Sequence, residues 1–261
     1  MILEVKHGYF GYPKDKNLLQ DICFTLGEKE IMTILGQNGI GKTTILKCVT
    51  GILKWQRGQT LLNGRSIGSS QEAQKQISIG YVPQAHGLSF PYTVRELVIM
   101  GRARHIGLFS VPSKMDKEIA DQAIDEVGIG SIRDKSCRQL SGGQLQLVFI
   151  ARALASEPKV LVLDEPESHL DFRNQFKIIN LIRRLVRERG LSCIINTHYP
   201  EHALRLSDTT LLLGKNSYLF GRTQEIITEK RVEEYFEIKA RILPVPYKEE
   251  EINAFVVLDS L

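Results

Sequence analysis

The residues from position 36 have the types and spacing needed to bind a polyphosphate. They read GQNGIGKTT, so four residues separate Gly36 from Gly41, and Lys42 and Thr43 follow at once. In this phosphate-loop pattern, glycines let backbone N–H groups approach the phosphates, and the following helix adds its positive end. We expect Lys42 to face the β- and γ-phosphates, Thr43 to bind Mg²⁺ and Thr44 to lie near the α-phosphate.

A pair of carboxylates follows a short apolar run further along the chain. Val160–Leu163 is typical of a buried strand of a parallel sheet, and Asp164 and Glu165 come directly after it. Ligands bind at the carboxyl ends of strands in such sheets. We expect Asp164 to hold Mg²⁺, directly or through water, and Glu165 to act as general base on the attacking water. An acidic turn is the alternative, which the phosphate loop elsewhere in the chain disfavours.

A third segment, Leu140–Gln144, reads LSGGQ and predicts the start of a helix. Ser141 is a good N-cap, and the glycines after it leave the helix N-terminus open to an anion. One ATP cannot need two separate helix N-termini from one chain. The segment therefore predicts that two chains share an ATP, although SGG alone would also fit an ordinary capped helix.

Apolar patterns along the chain predict the elements that position these residues. Asn63-Gly64 is a hairpin-turn signal. Strands are predicted at 22–26, 31–35, 77–82, 160–163, 193–196 and 209–213, and helices from 42, from 93, at 119–127, at 141–156 and at 172–189. The fold class is therefore α/β, with a mostly parallel sheet, an N-terminal antiparallel β subdomain and an all-helical insert.

Composition excludes several classes of protein. The net charge of +4, from 34 basic and 30 acidic residues, gives no nucleic-acid footprint, so we expect no nucleic-acid partner. The cysteines Cys23, Cys48, Cys137 and Cys193 form no CxxC pair and are interpreted as reduced structural thiols of a cytosolic protein. No apolar run approaches the roughly 18–20 residues that span a bilayer, and the N-terminus lacks a signal-peptide core. Any membrane role must come through a partner.

With these three segments, the sequence resembles the nucleotide-binding subunits of ATP-binding-cassette (ABC) transporters, up to about residue 240. The resemblance implies a RecA-like P-loop NTPase fold, ATP and Mg²⁺ as ligands, and a head-to-tail homodimer. In that family, LSGGQ of one subunit completes the ATP site at the phosphate loop of the other. Ser141 and Gly143 would contact the γ-phosphate across the dimer.

The same resemblance implies roles for residues outside the three segments. Gln84 resembles the loop glutamine that touches Mg²⁺ and water, and His198 the switch histidine that contacts the γ-phosphate. The residues from Ser168 to Asp171 resemble the dimer-contact loop that follows the catalytic glutamate. Tyr12 fits the aromatic that stacks on adenine, with Tyr9 as its competitor. The implied catalytic residues are Glu165, His198 and Gln84, and the implied metal ligands are Thr43, Gln84 and Asp164. The implied nucleotide-binding set is Tyr12, Gly36, Asn38, Gly39, Gly41, Lys42, Thr43, Thr44, Ser141, Gly142, Gly143, Gln144 and Asp171.

Two departures from the family pattern lie in the dimer-contact loop. Glu167 stands where the family usually has Thr, and His169 where Ala is frequent. Neither departure removes a catalytic group. The sequence therefore predicts an active ATPase.

The segment Phe90–Arg102, with His105, residues 108–110 and residues 112–113 beyond it, resembles importers of metal chelates: iron-siderophore, haem, cobalamin and the related molybdate systems. The family docks its membrane subunit here, and Phe90, Tyr92, Val98 and Met100 are the predicted groove-lining residues, with burial in the helix core as the alternative for any one of them. The resemblance implies integral-membrane permease subunits as partners, a substrate-binding protein as an indirect one, and a peripheral place on the cytoplasmic face of the membrane. A soluble ABC protein or an exporter cassette is the alternative.

The predicted organisation is a single cassette domain over 1–261. Residues 1–91 and 157–240 form the nucleotide-binding core, 92–156 the helical signature subdomain, and 241–261 a short tail to which the sequence pattern assigns no element. The Lys248–Glu251 charge run is predicted to be a solvated face.

Overall fold

A computed structural model describes residues 1–67, 79–84, 90–107, 110–215, 217–248 and 250–260. The chain divides into two compact units: Met1–Gln74 with Ser192–Leu261, and Lys75–Leu191. The start of the predicted strand 77–82, and the predicted docking residues Leu108 and Phe109, lie outside the described residues. Among the described residues, no helix has the length and apolar character needed to cross a membrane.

Strands and helices alternate along much of the described chain. In chain order they are β1 (Leu3–Tyr12), β2 (Asp15–Leu26), β3 (Ile31–Leu35), α1 (Lys42–Val49), β4 (Arg57–Leu62), β5 (Arg65–Ser66), β6 (Ile79–Val82), α2 (Val94–Ile99), α3 (Lys114–Glu126), α4 (Gly142–Ala155), β7 (Val160–Asp164), α5 (Phe172–Arg189), β8 (Ser192–Thr197), α6 (Pro200–Leu206), β9 (Thr209–Leu213), β10 (Tyr218–Arg222), α7 (Thr223–Ile226), α8 (Glu229–Phe236), β11 (Ile238–Tyr247) and β12 (Glu250–Ser260). Short 3₁₀ helices cover Met100–His105, Gly130–Ile132 and Cys137–Gln139.

The first unit contains the predicted antiparallel sheet, with strand order β2-β1-β4-β5. Ile22, Phe24 and Leu26 of β2 are buried, which confirms the half-buried period of that strand. Asn63 and Gly64 both have positive φ, 49° and 76°, between β4 and β5. These are the conformations that a tight two-residue hairpin turn requires, so the hairpin signal is confirmed.

A second sheet of the first unit positions the phosphate loop. The strand β3 pairs in parallel with β8 on one side and β9 on the other, and β10 pairs antiparallel with β9. All five residues of β3 are buried, as its apolar run predicts for a strand covered on both faces. The loop and α1 follow directly from the carboxyl end of this strand.

The first unit ends in a hairpin that the sequence pattern does not predict. The strands β11 and β12 pair antiparallel around a turn at Lys248, whose φ is 57°. Ala240, Ile242 and Phe255 on one face contact the cluster around Leu212 and Val232. The opposite face remains apolar and largely exposed, at Leu243, Val245, Tyr247, Ile252, Ala254 and Val256.

The second unit contains the parallel pair β6–β7 and the helical insert. Ala120, Ala123 and Ile124 form the buried stripe of α3, as its period predicts. Thr93, Ser113 and Ser141 each begin a helix with a capping box. One predicted docking residue is placed differently, because Val98 is fully buried in α2 and belongs to the core rather than to a surface groove.

The buried cation of Arg102 holds the end of α4, the helix that begins in the LSGGQ segment. Arg102 is 5% exposed, and its Nε donates to Asp116 Oδ1 at 3.0 Å. Its Nη1 donates to the carbonyl oxygen of Ala155, the last residue of α4, at 2.9 Å and to Glu157 Oε2 at 2.6 Å. The side chain thus links the end of α4 to the capping carboxylate of α3.

The substitution Arg102→Ala is expected to lower the free energy of unfolding by about 3 kcal/mol, because it leaves buried acceptors without their cation. Chemical denaturation in urea measures the change. The matched control is Lys114→Ala, which breaks the exposed Lys114–Glu118 pair at 3.7 Å and should cost about 0.5 kcal/mol or less. Equal midpoints for the two variants would contradict this account of Arg102.

Candidate nucleotide-binding site

The phosphate loop connects β3 to α1 in the first unit. Gly36 is buried, and a Cβ there would lie 2.8 Å from the carbonyl oxygen of Leu213, which is too close for any side chain. Gly41 is the N-cap of α1 with φ of 107°, a conformation that L side chains rarely adopt. Asn38 and Gly39 are exposed on the loop. The predicted loop conformation therefore depends on glycine at both of its ends.

Lys42 is buried beneath this loop. The side chain is 4% exposed, and Nζ donates to the carbonyl oxygen of Gly36 at 2.8 Å and to that of Gln37 at 2.9 Å. The ammonium group thus lies at the loop, held by two backbone dipoles. An anion at the loop would meet a positive charge that the fold has already positioned.

The hydroxyl of Thr43 lies beside a buried amide. Asn196 is fully buried in β8, where it pairs with Ile34, and its Nδ2 lies 3.5 Å from Thr43 Oγ1. The Asn196 amide donates toward the Thr43 hydroxyl oxygen and so constrains the orientation of that hydroxyl at the start of α1. Asn196 is therefore a positioning residue for Thr43.

Tyr12 lies against the same end of α1. Its hydroxyl is 3.5 Å from Oγ1 of Thr44, which is buried, and its ring meets Phe10 edge-on with centroids 5.0 Å apart. Tyr12 is 41% exposed, whereas Phe10 is buried. Tyr9 is half-buried opposite Arg57 of β4. The assignment of Tyr12 as the adenine-stacking residue remains a prediction.

Asp164 ends β7 in the second unit and is 5% exposed. The hydroxyl of Tyr81, in the neighbouring strand β6, donates to Asp164 Oδ2 at 3.0 Å. Burial and the adjacent carboxylate charge both raise the pKa of Tyr81 above its ordinary value, so the phenol stays protonated as a donor. The neutral Tyr81 hydroxyl therefore orients Asp164 from one side.

Glu165 begins the turn after β7 with φ of 45°, in the left-handed region. Non-glycine residues in this region cluster at functional sites. The hydroxyl of Ser168 donates to Glu165 Oε2 at 2.8 Å, and the Ser168 N–H donates to the Glu165 carbonyl at 3.1 Å. The turn therefore fixes both the backbone and the carboxylate of the predicted base.

The LSGGQ segment forms the predicted helix start. Ser141 caps α4: its Oγ accepts from the Gln144 N–H at 3.3 Å, and its own N–H donates to Gln144 Oε1 at 3.0 Å. Gly142 is exposed, whereas Gly143 is buried, and a Cβ on it would lie 3.1 Å from Cγ of Asn174. The helix start is thus ordered by its own side chains and open at Gly142.

Asp171 lies on the same side of the second unit. It caps α5 by accepting from the Asn174 N–H at 2.8 Å, and its other oxygen accepts from Asn174 Nδ2 at 2.8 Å. Because Asn174 also lies against Gly143, the structure brings the predicted dimer-contact residue and the signature segment together within this unit.

Gln84 and His198 each follow a strand, as predicted. Gln84 is half-buried two residues beyond β6. His198 is half-buried directly after β8, with its ring centroid 4.0 Å from that of Tyr199, which in turn lies 4.9 Å from the ring of His202. This aromatic stack fixes the orientation of His198.

The two departures in the dimer-contact loop differ in their surroundings. Glu167 is 2% exposed, so its carboxylate belongs to the interior of the turn. His169 is exposed and left-handed, with φ of 62°. Of these two residues, His169 is therefore the one whose side chain could contact a partner.

The side chains of Thr43, Gln84 and Asp164 each carry an oxygen atom of the kind that a hard cation binds. A hydroxyl, an amide oxygen and a carboxylate suit Mg²⁺, and no thiolate or imidazole is among them. This donor chemistry fits the metal that the phosphate-loop pattern implies.

Sequence reasoning missed the residues that orient these groups. Tyr81, Asn174 and Asn196 make the hydrogen bonds that position Asp164, Asp171 and Thr43. A usable signal existed only for Asn196, since an amide inside an otherwise apolar strand needs a polar neighbour. The others depend on which strands and turns become neighbours in the fold.

Comparison with known proteins identifies the family of the chain. The ABC transporter family model matches residues 19–168. A molybdate import ATP-binding protein of Haemophilus influenzae is 36% identical over 98% of this chain and 96% of its own. An iron(3+)-hydroxamate import ATP-binding protein of Bacillus subtilis is 34% identical over 89% of this chain and 87% of its own.

A solved structure extends the likeness to three dimensions. A chain of a putative metal-chelate type ABC transporter, in an inward-facing conformation, superposes with a TM-score of 0.88 and 34% identity. The match covers 98% of this chain and 97% of that one. The chain therefore belongs to the ABC transporter family. It is an ATP-binding subunit and an ATPase, as its motifs predict.

Proposed function

We propose that this ATPase powers the import of a metal chelate or an oxyanion through a separate membrane permease. The observation that carries the proposal is the capped, open start of α4, where Gly142 is exposed beside Ser141. A second anion-binding helix start, apart from the phosphate loop of the same chain, suits an ATP held by two copies. The named import proteins that this chain resembles over most of its length support the direction of transport.

Phosphate and adenine binding are assigned to residues of the first unit, and the general base to Glu165 of the second. Lys42 and the loop N–H groups hold the β- and γ-phosphates, and Tyr12 stacks on the adenine. Thr43, Gln84 and Asp164 would hold Mg²⁺, which would supply positive charge to neutralise the phosphate oxygens.

Hydrolysis is assigned to Glu165 acting on water. The carboxylate takes a proton from the water while the water oxygen attacks the γ-phosphorus. The bond between the γ-phosphorus and the oxygen that leaves with ADP breaks. The hydrogen bond from Ser168 holds the carboxylate in place. His198, oriented by Tyr199, contacts the γ-phosphate.

The cycle requires two copies of the chain. Ser141, Gly142, Gly143 and Gln144 of one copy close on the γ-phosphate held by the other, with Asp171 at the same interface. ATP binding drives closure of the two copies, which is the conformational step of the cycle. Hydrolysis then lets the two copies separate. The permease holds the homodimer at the cytoplasmic face of the membrane, and a substrate-binding protein delivers the transported molecule.

The permease contact is assigned to the segment that begins at Phe90. Phe90 is 64% exposed and Met100 is 41% exposed, and the ring of Phe90 lies 5.9 Å from that of Tyr92. Exposed large apolar side chains close in sequence are typical of a protein-binding surface. Val98 is excluded from this surface by its burial.

The substitutions Phe90→Glu and Met100→Glu are expected to reduce recovery of the permease at least about tenfold, because each puts a charge into an apolar contact. The measurement is affinity purification of the chain from detergent-solubilised membranes of its own cells, scored for a stoichiometric integral-membrane protein. Uptake of labelled molybdate and ferric hydroxamate by the same cells tests the cargo class.

The matched control is Met115→Glu, on the exposed surface of α3, which should leave recovery and uptake unchanged. ATPase activity of the purified chain should stay the same in all three variants. Undiminished permease recovery with Phe90→Glu would contradict the docking surface. If no membrane protein is recovered with the unsubstituted chain, the transport proposal itself fails.

A further inference from the structure

Three side chains of different metal-binding types converge on the outer face of the antiparallel sheet. Asp21 and Cys23 are two residues apart in β2, so both point away from the face that buries Ile22. His7 lies next to them on the paired strand β1. Among the described residues, these three are the group whose ligand atoms all lie within 4.8 Å of one another.

The distances suit a small tetrahedral site. His7 Nδ1 lies 3.8 Å from Cys23 Sγ and 2.7 Å from Asp21 Oδ1. Ligands at the usual Zn–N, Zn–S and Zn–O lengths of roughly 2.0–2.3 Å are separated by about 3.3–3.7 Å in a tetrahedron. The N–S distance exceeds this range by about 0.1 Å, and the N–O distance reaches it by opening about 0.6 Å. Both moving side chains are exposed, so nothing packed on them resists the change.

The backbone around the cluster is already arranged to hold these side chains. His7 and Asp21 both have φ of 49°, at irregularities where the pairing of β1 with β2 shifts register. The hydroxyl of Tyr218 donates to the Asp21 carbonyl at 2.9 Å and accepts from the Cys23 N–H at 3.0 Å. One tyrosine therefore fixes two of the three residues from outside the strand pair.

The sulfur of Cys23 also accepts a backbone hydrogen bond. The His7 N–H donates to Cys23 Sγ at 3.2 Å. Such bonds to sulfur stabilise the thiolate and are typical of the outer shell of metal–cysteine sites. The same residue thus offers its ring as a ligand and its N–H to the neighbouring ligand.

We propose that His7, Asp21 and Cys23 bind one Zn²⁺ ion, with water as the fourth ligand. Imidazole, thiolate and carboxylate together suit a borderline ion such as Zn²⁺ and distinguish the site from the oxygen donors assigned to Mg²⁺. On binding, Cys23 Sγ releases its thiol proton to solvent, and His7 binds the metal through Nδ1 as the neutral tautomer that carries its proton at Nε2. The proposal is independent of the transport proposal, since none of its residues contributes to the nucleotide site.

The other three cysteines offer no comparable thiolate. Cys48, Cys137 and Cys193 are buried, and burial raises the pKa of each thiol, to about 12 for Cys48. Cys23 is partly exposed. A metal-dependent change in thiol chemistry of the folded chain is therefore assigned to Cys23.

The test uses Co²⁺ as a spectroscopic substitute for Zn²⁺ on the untagged, nucleotide-free chain. We expect one equivalent of Co²⁺ to produce a thiolate-to-cobalt charge-transfer absorption that Zn²⁺ abolishes. The substitution Cys23→Ser should remove the band, and His7→Ala or Asp21→Ala should weaken Zn²⁺ binding about 10–100-fold in competition with a chromogenic chelator. The matched control His105→Ala changes another exposed histidine and should leave the affinity unchanged.

A second measurement does not depend on spectroscopy. Zn²⁺ should slow alkylation of Cys23 at least about tenfold, as followed by mass spectrometry, while alkylation of the three buried cysteines does not change. Circular dichroism checks that each variant is folded, and its ATPase rate should match that of the unsubstituted chain. Absence of the charge-transfer band, or its persistence in Cys23→Ser, would overturn the proposal. Equal alkylation of Cys23 with and without Zn²⁺ would also overturn it.

Discussion

Replacing Glu165 with glutamine is expected to slow ATP hydrolysis by about 10²–10⁴-fold while ATP remains bound, because the amide cannot accept the proton of the attacking water. The substitution keeps the shape of the side chain, so the Ser168 hydroxyl can still donate to its oxygen. The left-handed turn at residue 165 is likewise retained. The variant should therefore fold and bind as the unsubstituted chain does.

The same variant tests the shared ATP. Without hydrolysis, the ATP-bound dimer has no step that releases it, so Mg²⁺-ATP should convert the variant to a stable dimer in sedimentation experiments. The unsubstituted chain should show a specific ATPase activity that rises with protein concentration. A rate independent of concentration, from chains that stay monomeric, would contradict the sharing of ATP between two copies.

A carboxylate-to-amide change elsewhere provides the control. Glu118→Gln alters an exposed residue of α3 and should leave hydrolysis within about twofold of the unsubstituted rate. Unchanged turnover in Glu165→Gln would show that another group takes the proton. The family assignment would survive that result, whereas the assignment of the base would not.

The substitution Lys42→Ala is expected to weaken ATP binding by about 10²-fold or more and to abolish hydrolysis. Hydrogen bonds to charged groups contribute about 1.5–3 kcal/mol each, and the ammonium group can donate more than one to the phosphates. Isothermal titration calorimetry with ATP measures the affinity. Circular dichroism shows whether the loop, which loses its bonds at Gly36 and Gln37, still allows the chain to fold.

Lys47 gives the matched control on the same helix. It lies in the last turn of α1, half-buried and away from the loop. Lys47→Ala should change the ATP affinity by less than about threefold. An affinity of Lys42→Ala within the same limit would contradict the assigned role of Lys42.

The parts predictable from sequence were those that depend on local chemistry. The phosphate loop needs glycine where Gly36 passes Leu213 and where Gly41 turns into α1, so its function is visible in the residue types. Ser141 and Gln144 form the capping box that their spacing specifies. The turn at Asn63 is likewise predictable, because the positive φ angles that it needs fall on two adjacent residues, Asn63 and Gly64, whose types favour them.

The remainder depended on tertiary neighbours. The sequence predicts Val98 on a docking surface, but the face of α2 that carries Val98 is buried. A helix of six residues is too short for its apolar period to show which face is buried. Tyr81 and Asp164 meet because β6 and β7 pair, and nothing near either residue in the sequence indicates that pairing. The roles predicted for Tyr12, Gln84 and His198 remain predictions that ligand-bound experiments can test.

The terminal hairpin was missed for a related reason. Prolines are rare within strands, so Pro244 and Pro246 argue against one. Apolar residues on both faces also obscure the alternation that identifies a half-buried strand. The strand forms because Ala240 and Ile242 find a core to cover, which is information from the fold.

Those two prolines also bear on how the chain avoids self-aggregation. An exposed apolar strand with free N–H groups is a template on which further strands can add, as in fibrils. Pairing of β11 with β12 continues without a register shift through Pro244 and Pro246, so the two missing donors fall on the outer edge of β11. The segment between Leu243 and Tyr247 therefore keeps its exposed apolar side chains while its edge cannot seed strand addition. The prolines that hide this strand from sequence analysis serve as its gatekeepers.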